Sequence, residues 1–332
     1  MPQTAFPSPA PPAAAPALSR SRRSLRIVAQ VACVPYLALK AAWISGSHLG
    51  IPDGSPLLDH RVPMIFVNGL TVLMDASVIV LALLLTRPWG LRVPAPLLLV
   101  PMWVATGLLT PIMAGYPLQL VVKVLGGSVR GGSDGGTGEP FLADWVFAVV
   151  YTGFIVQGVA LGALFALYAR DRWGHLWRGR VPCGGARRGP RAVACAVALL
   201  ALVPGTLHVL WATGSAAGLN EAQVRGRTTD FHVLESLDAV YLVVAVAGAL
   251  LLSLSWGRAL PLEVPLTAAW LGSGTVACWG GWLFLGSLAA VGDAEKQPTG
   301  AMFLTYAVQM IIGALVAGLL AHFLRQRSGS TA

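Results

Sequence analysis

The feature that most constrains this chain is a series of apolar stretches of span length, of which "VLESLDAVYLVVAVAGALLLSLS" (233–255) is representative. About 20 apolar residues cross the hydrocarbon core of a bilayer as one helix. Eight such stretches can be drawn, at about 27–47, 63–86, 93–115, 141–169, 192–214, 233–255, 265–290 and 300–324. The reading is an all-α membrane protein of eight transmembrane helices whose partner is the lipid bilayer. Composition agrees: only 11% of residues are charged, against about 25% in a soluble domain, and the mean hydropathy is +0.69.

The placement of the charges decides what the net charge of +9 means. No basic stripe interleaved with aromatics is present, so nucleic acid is not expected as a partner. With the N-terminus inside, sixteen Lys and Arg residues fall on the cytoplasmic side, six fall outside, and Lys40 alone lies in the membrane. That asymmetry places both termini in the cytoplasm of a cell-membrane protein. Residues 1–24 then read as a disordered Pro/Ala-rich tail, 173–191 as a basic cytoplasmic linker and 328–332 as a second tail.

The remainder, 25–172 and 192–327, reads as two copies of one four-helix unit. "LKAAWISGSHLG" (39–50) matches "LHVLWATGSAAG" (207–218), and "PWGLRVP" (88–94) matches "SWGRALP" (255–261). Trp103, Thr106 and Gly107 align with Trp270, Ser273 and Gly274, and Tyr151, Gly158, Arg170 and Arg172 align with Tyr306, Gly313, Arg325 and Arg327. An even number of spans per copy makes the repeats parallel, about an axis along the membrane normal.

Charges inside a bilayer are costly and mark candidate sites. Lys40 stands about six residues, some 9 Å, from the outer end of its span. Asp75 stands near the middle of the next span, too deep for so short a side chain to reach water. The tilt of Cβ toward each helix's N-terminus leans the two toward one another, so a Lys40–Asp75 ion pair is expected. The second copy carries His208 in place of Lys40, and Asn68, Thr71 and Asp75 correspond to Glu235, Asp238 and Leu242. Those offsets lie on one helical face. Lys40, Asn68, Asp75, His208, Glu235 and Asp238 are therefore the candidates for handling a ligand or a proton, with His208 paired to Asp238.

Other chemistry is thinly represented. His48, Asp53, Asp59, His60, Asp230 and His232 collect in outer loops, but their spacing matches no metal-ligand pattern. The four cysteines form no CxxC pair and read as free thiols. No nucleophile elbow, HExxH or Walker sequence occurs, so no catalytic residue, cofactor or metal is expected. "GGSVRGGSDGGTG" (126–138) reads as a flexible outer loop, and Trp279 and Trp282 as the tryptophans that face inward.

The "PWG" loop end and the phrases "LHVLWATGS" and "LFALYARDRWG" resemble polytopic integral membrane proteins of actinobacteria, a resemblance that implies no particular activity. The preferred reading is a transporter or binder of a small molecule or ion, acting between the two four-helix units. A membrane-embedded enzyme for a lipophilic substrate, or a non-catalytic scaffold or accessory subunit, is the alternative.

Overall fold

The computed structural model describes residues 19–52, 61–129, 142–181, 188–254, 260–289 and 297–330. Within them the chain is helical: α1 (Arg20–Ile44), α2 (Arg61–Leu84), α3 (Ala95–Val124), α4 (Asp144–Trp177), α5 (Arg188–Leu200), α6 (Leu202–Ala212), the short α7 (Glu221–Arg225), α8 (Thr229–Leu254), α9 (Glu263–Ala289) and α10 (Gly300–Ser330). Six of these elements are long and apolar enough to cross a membrane, with α5 and α6 counted as one run from Arg188 to Ala212. The protein is thus a multi-pass membrane protein. α2 contributes a shorter apolar stretch, Asn68–Leu84, and α9 is 27 residues long.

Boundaries differ from the sequence reading in instructive ways. α1 begins at Arg20, because Ser19 caps it by accepting from the Arg22 amide, so residues 20–24 are helix rather than tail. α4 runs on to Trp177 and α10 to Ser330. α3 continues through Pro111 and Pro117 to Val124, and the hydroxyls of Thr106 and Thr110 bond back to the Met102 and Thr106 carbonyls in its middle. The break between α5 and α6 has an equally local cause: Pro204 has no N–H to offer the Leu200 carbonyl. The Gly-rich loop lies mostly outside the described residues.

Large apolar side chains point outward, as lipid contact requires: Leu73 is 67% exposed and Leu199 68%. Two cores lie inside. One gathers Cys33, Leu81, Leu98, Met102, Leu161 and Leu164 from α1 to α4. The other gathers Val197, Ala245, Leu262, Ala269, Ile312 and Val316 from α5 and α8 to α10. Trp270 packs against both.

The two groups of helices meet where α3 crosses α9. The Trp103 indole donates to Ser273 Oγ at 2.9 Å, and the Trp270 indole donates to Thr106 Oγ1 at 3.1 Å. Gly107 and Gly274 lie between these bonds and let the backbones approach, as small residues do in membrane crossings.

The turns after α1 and α6 have the same construction. Trp43 donates to the Leu49 carbonyl at 2.7 Å, and Trp211 to the Ala217 carbonyl at 2.8 Å. Gly46 and Gly214 both take φ 97°, and Gly50 and Gly218 take 74° and 77°, backbone that only glycine adopts at little cost. Trp43 and Trp211 thereby pin the C-terminal ends of α1 and α6, and with them the functional candidates one turn earlier.

Candidate functional site

Tyr36, Lys40 and Trp43 follow one another at spacings of four and three on α1, which stacks them on one face. The Lys40 ammonium lies 4.9 Å from the Tyr36 ring centroid and 4.8 Å from that of Trp43. It donates to Asn68 Oδ1 on α2 at 2.6 Å and is 8% exposed. The expected Lys40–Asp75 ion pair does not form. Asn68 stands seven residues before Asp75, about 10 Å along the helix, and is the acceptor at the height the lysine reaches. Two ring faces and an amide oxygen stabilise the ammonium without a carboxylate.

Asp75 turns instead to α4. Its Oδ1 accepts from Gln157 Nε2 at 2.7 Å, and the same nitrogen lies 3.0 Å from Cys33 Sγ on α1. Asp75 is 4% exposed and Gln157 1%. Asp75 Oδ2 and Gln157 Oε1 are buried without a hydrogen-bond partner among the described residues. Both side chains line a cavity of about 520 Å³ between α1, α2, α3, α4 and α9. Five aromatic residues share that lining: Tyr36, Tyr151 and Phe154 from one helical group, Trp279 and Trp282 from the other. Val100 and Val104 line it as well and are 59% and 37% exposed, so its mouth lies on the apolar outer surface of the bundle.

His208 on α6 is 2% exposed. Its Nδ1 lies 2.6 Å from Glu235 Oε2 on α8, its Nε2 lies 2.8 Å from Gln309 Nε2 on α10, and Trp211 packs edge-on to the ring. The direct partner of His208 is therefore Glu235, not the expected Asp238. Asp238 stands one turn further along α8 and completes a cluster in which one ligand-type atom from each of the three residues lies within 4.8 Å of the others. Glu235 is nearer the N-terminal end of α8, and its side chain remains 16% exposed.

No family model, curated protein or solved structure matches the chain. The reading of the site therefore rests on its own geometry.

Of the residues expected in outer loops, Asp230 and His232 lie instead in the first turn of α8, where Asp230 is engaged by Gln119 and Thr228 and His232 lies against the Trp211 carbonyl. Asp53, Asp59 and His60 fall outside the described residues. Cys33, Cys195 and Cys278 are free, and Cys183 also falls outside. The residues overlooked in the sequence are Gln157 and Gln309, each the amide that meets an acidic or basic candidate. Their signal was an isolated Gln deep in an apolar run, "FIVQGVALG" and "YAVQMIIGA".

Proposed function

We propose that this is an eight-span protein of the cell membrane, built as two parallel four-helix repeats, that binds a small lipophilic cation between the repeats and moves it across the bilayer. α2 and α9 complete the eight spans. The repeat organisation is supported by the matching turns at Trp43 and Trp211 and by the exchange of indole bonds between α3 and α9. Aligned residues that trade the same bond in both directions are what a twofold axis generates. The excess of Lys and Arg in the segments assigned to the cytoplasm supports an orientation with both termini inside.

The observation that carries the ligand reading is Asp75. Its Oδ2 has no hydrogen-bond partner among the described residues, and it lines a cavity built by both groups of helices. A carboxylate held at membrane depth needs a compensating partner, and aromatic faces around it attract cations over neutral molecules. Apolar walls and a mouth on the outer surface of the bundle suit a ligand that partitions into lipid first. Lys40 is held by Asn68 and the Tyr36 and Trp43 rings and leaves Asp75 Oδ2 open to an incoming cation.

Ethidium titrated into the full-length protein in nanodiscs tests the reading. Saturable binding is expected, with quenching of Trp279 and Trp282 and at least a tenfold loss of affinity in Asp75→Asn. Equal affinity in Asp75→Asn, or no saturable binding, contradicts it.

A further inference from the structure

The cluster on α6, α8 and α10 lies apart from the Asp75 cavity and has its own chemistry. Its donors are one ring nitrogen of His208 and one carboxylate oxygen each of Glu235 and Asp238, all mutually within 4.8 Å, and it is Nδ1 that lies 2.6 Å from Glu235 Oε2. Glu235 and Asp238, three residues apart, occupy one face of α8, and His208 faces them from α6. One imidazole nitrogen with two carboxylates is a ligand set for zinc-like divalent ions, whose bonds of about 2.0–2.2 Å bring ligand atoms to roughly 3–4 Å from one another.

Charge points the same way. Two carboxylates face a single imidazole, and neither α6 nor α8 contains a lysine or arginine. The basic residues of α10, Arg325 and Arg327, are sixteen or more positions beyond Gln309, about 24 Å along the helix. In the other half, the aligned positions hold Lys40, Asn68 and Thr71, where the lysine itself supplies the positive charge and the acids are absent. At the aligned positions the second copy has the acids and neither lysine nor arginine.

Gln309 is the independent observation. It is 5% exposed, its Nε2 contacts His208 Nε2, and its Oε1 is buried with no hydrogen-bond partner among the described residues. An imidazole that ligates through Nδ1 carries its proton on Nε2, and metal-bound histidines donate that proton to an outer acceptor. Turning the Gln309 amide over places Oε1 on Nε2–H and gives the orphaned oxygen its partner.

We propose that His208, Glu235 and Asp238 bind one divalent transition-metal ion of the zinc type, with Gln309 positioning the histidine. Glu235 leads to the outer surface, about 9 Å from the start of α8, and provides the route of entry.

The test uses chelator-treated full-length protein in detergent, titrated with Co²⁺ alone and with Zn²⁺ alone. Expected are one equivalent bound, a visible Co²⁺ ligand-field spectrum, and quenching of Trp211 by Co²⁺ that is lost in Trp211→Phe. Glu235→Gln with Asp238→Asn, which keeps side-chain volume, should weaken binding at least a hundredfold. Gln309→Leu, which removes no ligand, should weaken it ten- to a hundredfold. Asp75→Asn should bind as wild type, which separates this site from the lipophilic-cation site. No saturable binding to wild type, or unchanged binding in the Glu235/Asp238 double variant or in Gln309→Leu, overturns the proposal.

Discussion

Gly107 and Gly274 meet backbone to backbone where α3 crosses α9: a Cβ on Gly107 would stand 2.4 Å from the Gly274 carbonyl oxygen. That obstacle is main chain, which cannot swing aside as a side-chain tip can. The crossing joins the two helical groups and sets the opening of the Asp75 cavity between them.

Gly107→Ala is therefore expected to destabilise the protein by about 1–3 kcal/mol, the cost of overpacking a filled contact. Gly162 on α4 is the control, since a Cβ there meets nothing within 4 Å. Gly162→Ala should be neutral or stabilising by up to about 1 kcal/mol, because alanine loses less backbone entropy in a helix. Thermal unfolding of the two variants in the same detergent reads the contrast, and equal melting temperatures would discount the close crossing.

Trp103→Phe and Trp270→Phe each remove one indole donor from this crossing and leave the partner hydroxyl of Ser273 or Thr106. A hydrogen bond between membrane helices is worth about 0.6 kcal/mol on average. Trp103→Phe should lose at least that much and Trp270→Phe more, because the Trp270 ring also packs against both cores, and the double variant about the sum, since the bonds involve different partner hydroxyls. Strong non-additivity in the unfolding free energies would mean that the two bonds act as one unit.

That the chain is helical, with several helices long and apolar enough to cross a membrane, was legible from the sequence, because hydropathy acts at the scale of whole helices. Positions where polar groups would concentrate were legible too: Lys40 and Asn68 do meet, as do His208 and Glu235. The specific pairings were not, for a physical reason. Matching acids to bases assumes that charge finds charge, whereas inside this bundle Asn68 serves Lys40 and Gln157 serves Asp75. An amide deep in an apolar span costs less to bury than a carboxylate and so attracts less notice. The depth at which each side chain reaches its neighbour is set by helix packing, which no span boundary conveys.

The Asp75–Gln157 contact can be measured by a double-mutant cycle. Gln157→Leu leaves the Asp75 carboxylate without its donor and should cost about 1–3 kcal/mol, the desolvation of an unsatisfied buried group. Asp75→Leu combined with Gln157→Leu removes both partners, and should recover most of that loss. A pair free energy near zero in the cycle would show that Gln157 fills space without supporting the carboxylate.

Replacing His208 separates the charge of the outer cluster from its ligand chemistry. His208→Leu leaves Glu235 and Asp238 facing apolar surroundings and should cost about 3 kcal/mol, the low end for a broken buried pair because Glu235 is partly wet. His208→Lys places an ammonium where the other half has Lys40, next to Trp211 as Lys40 is next to Trp43. It supplies the single positive charge that a protonated imidazole would, and should unfold within about 1 kcal/mol of the metal-free wild type, a difference typical of a partly solvated pair. Zn²⁺ should raise the melting temperature of wild type through preferential binding to the folded state and leave His208→Lys unmoved. An equal shift in both proteins would place the ion elsewhere, while a collapse of His208→Lys to the level of His208→Leu would mean that the imidazole's shape, rather than its positive charge, is what the cluster requires.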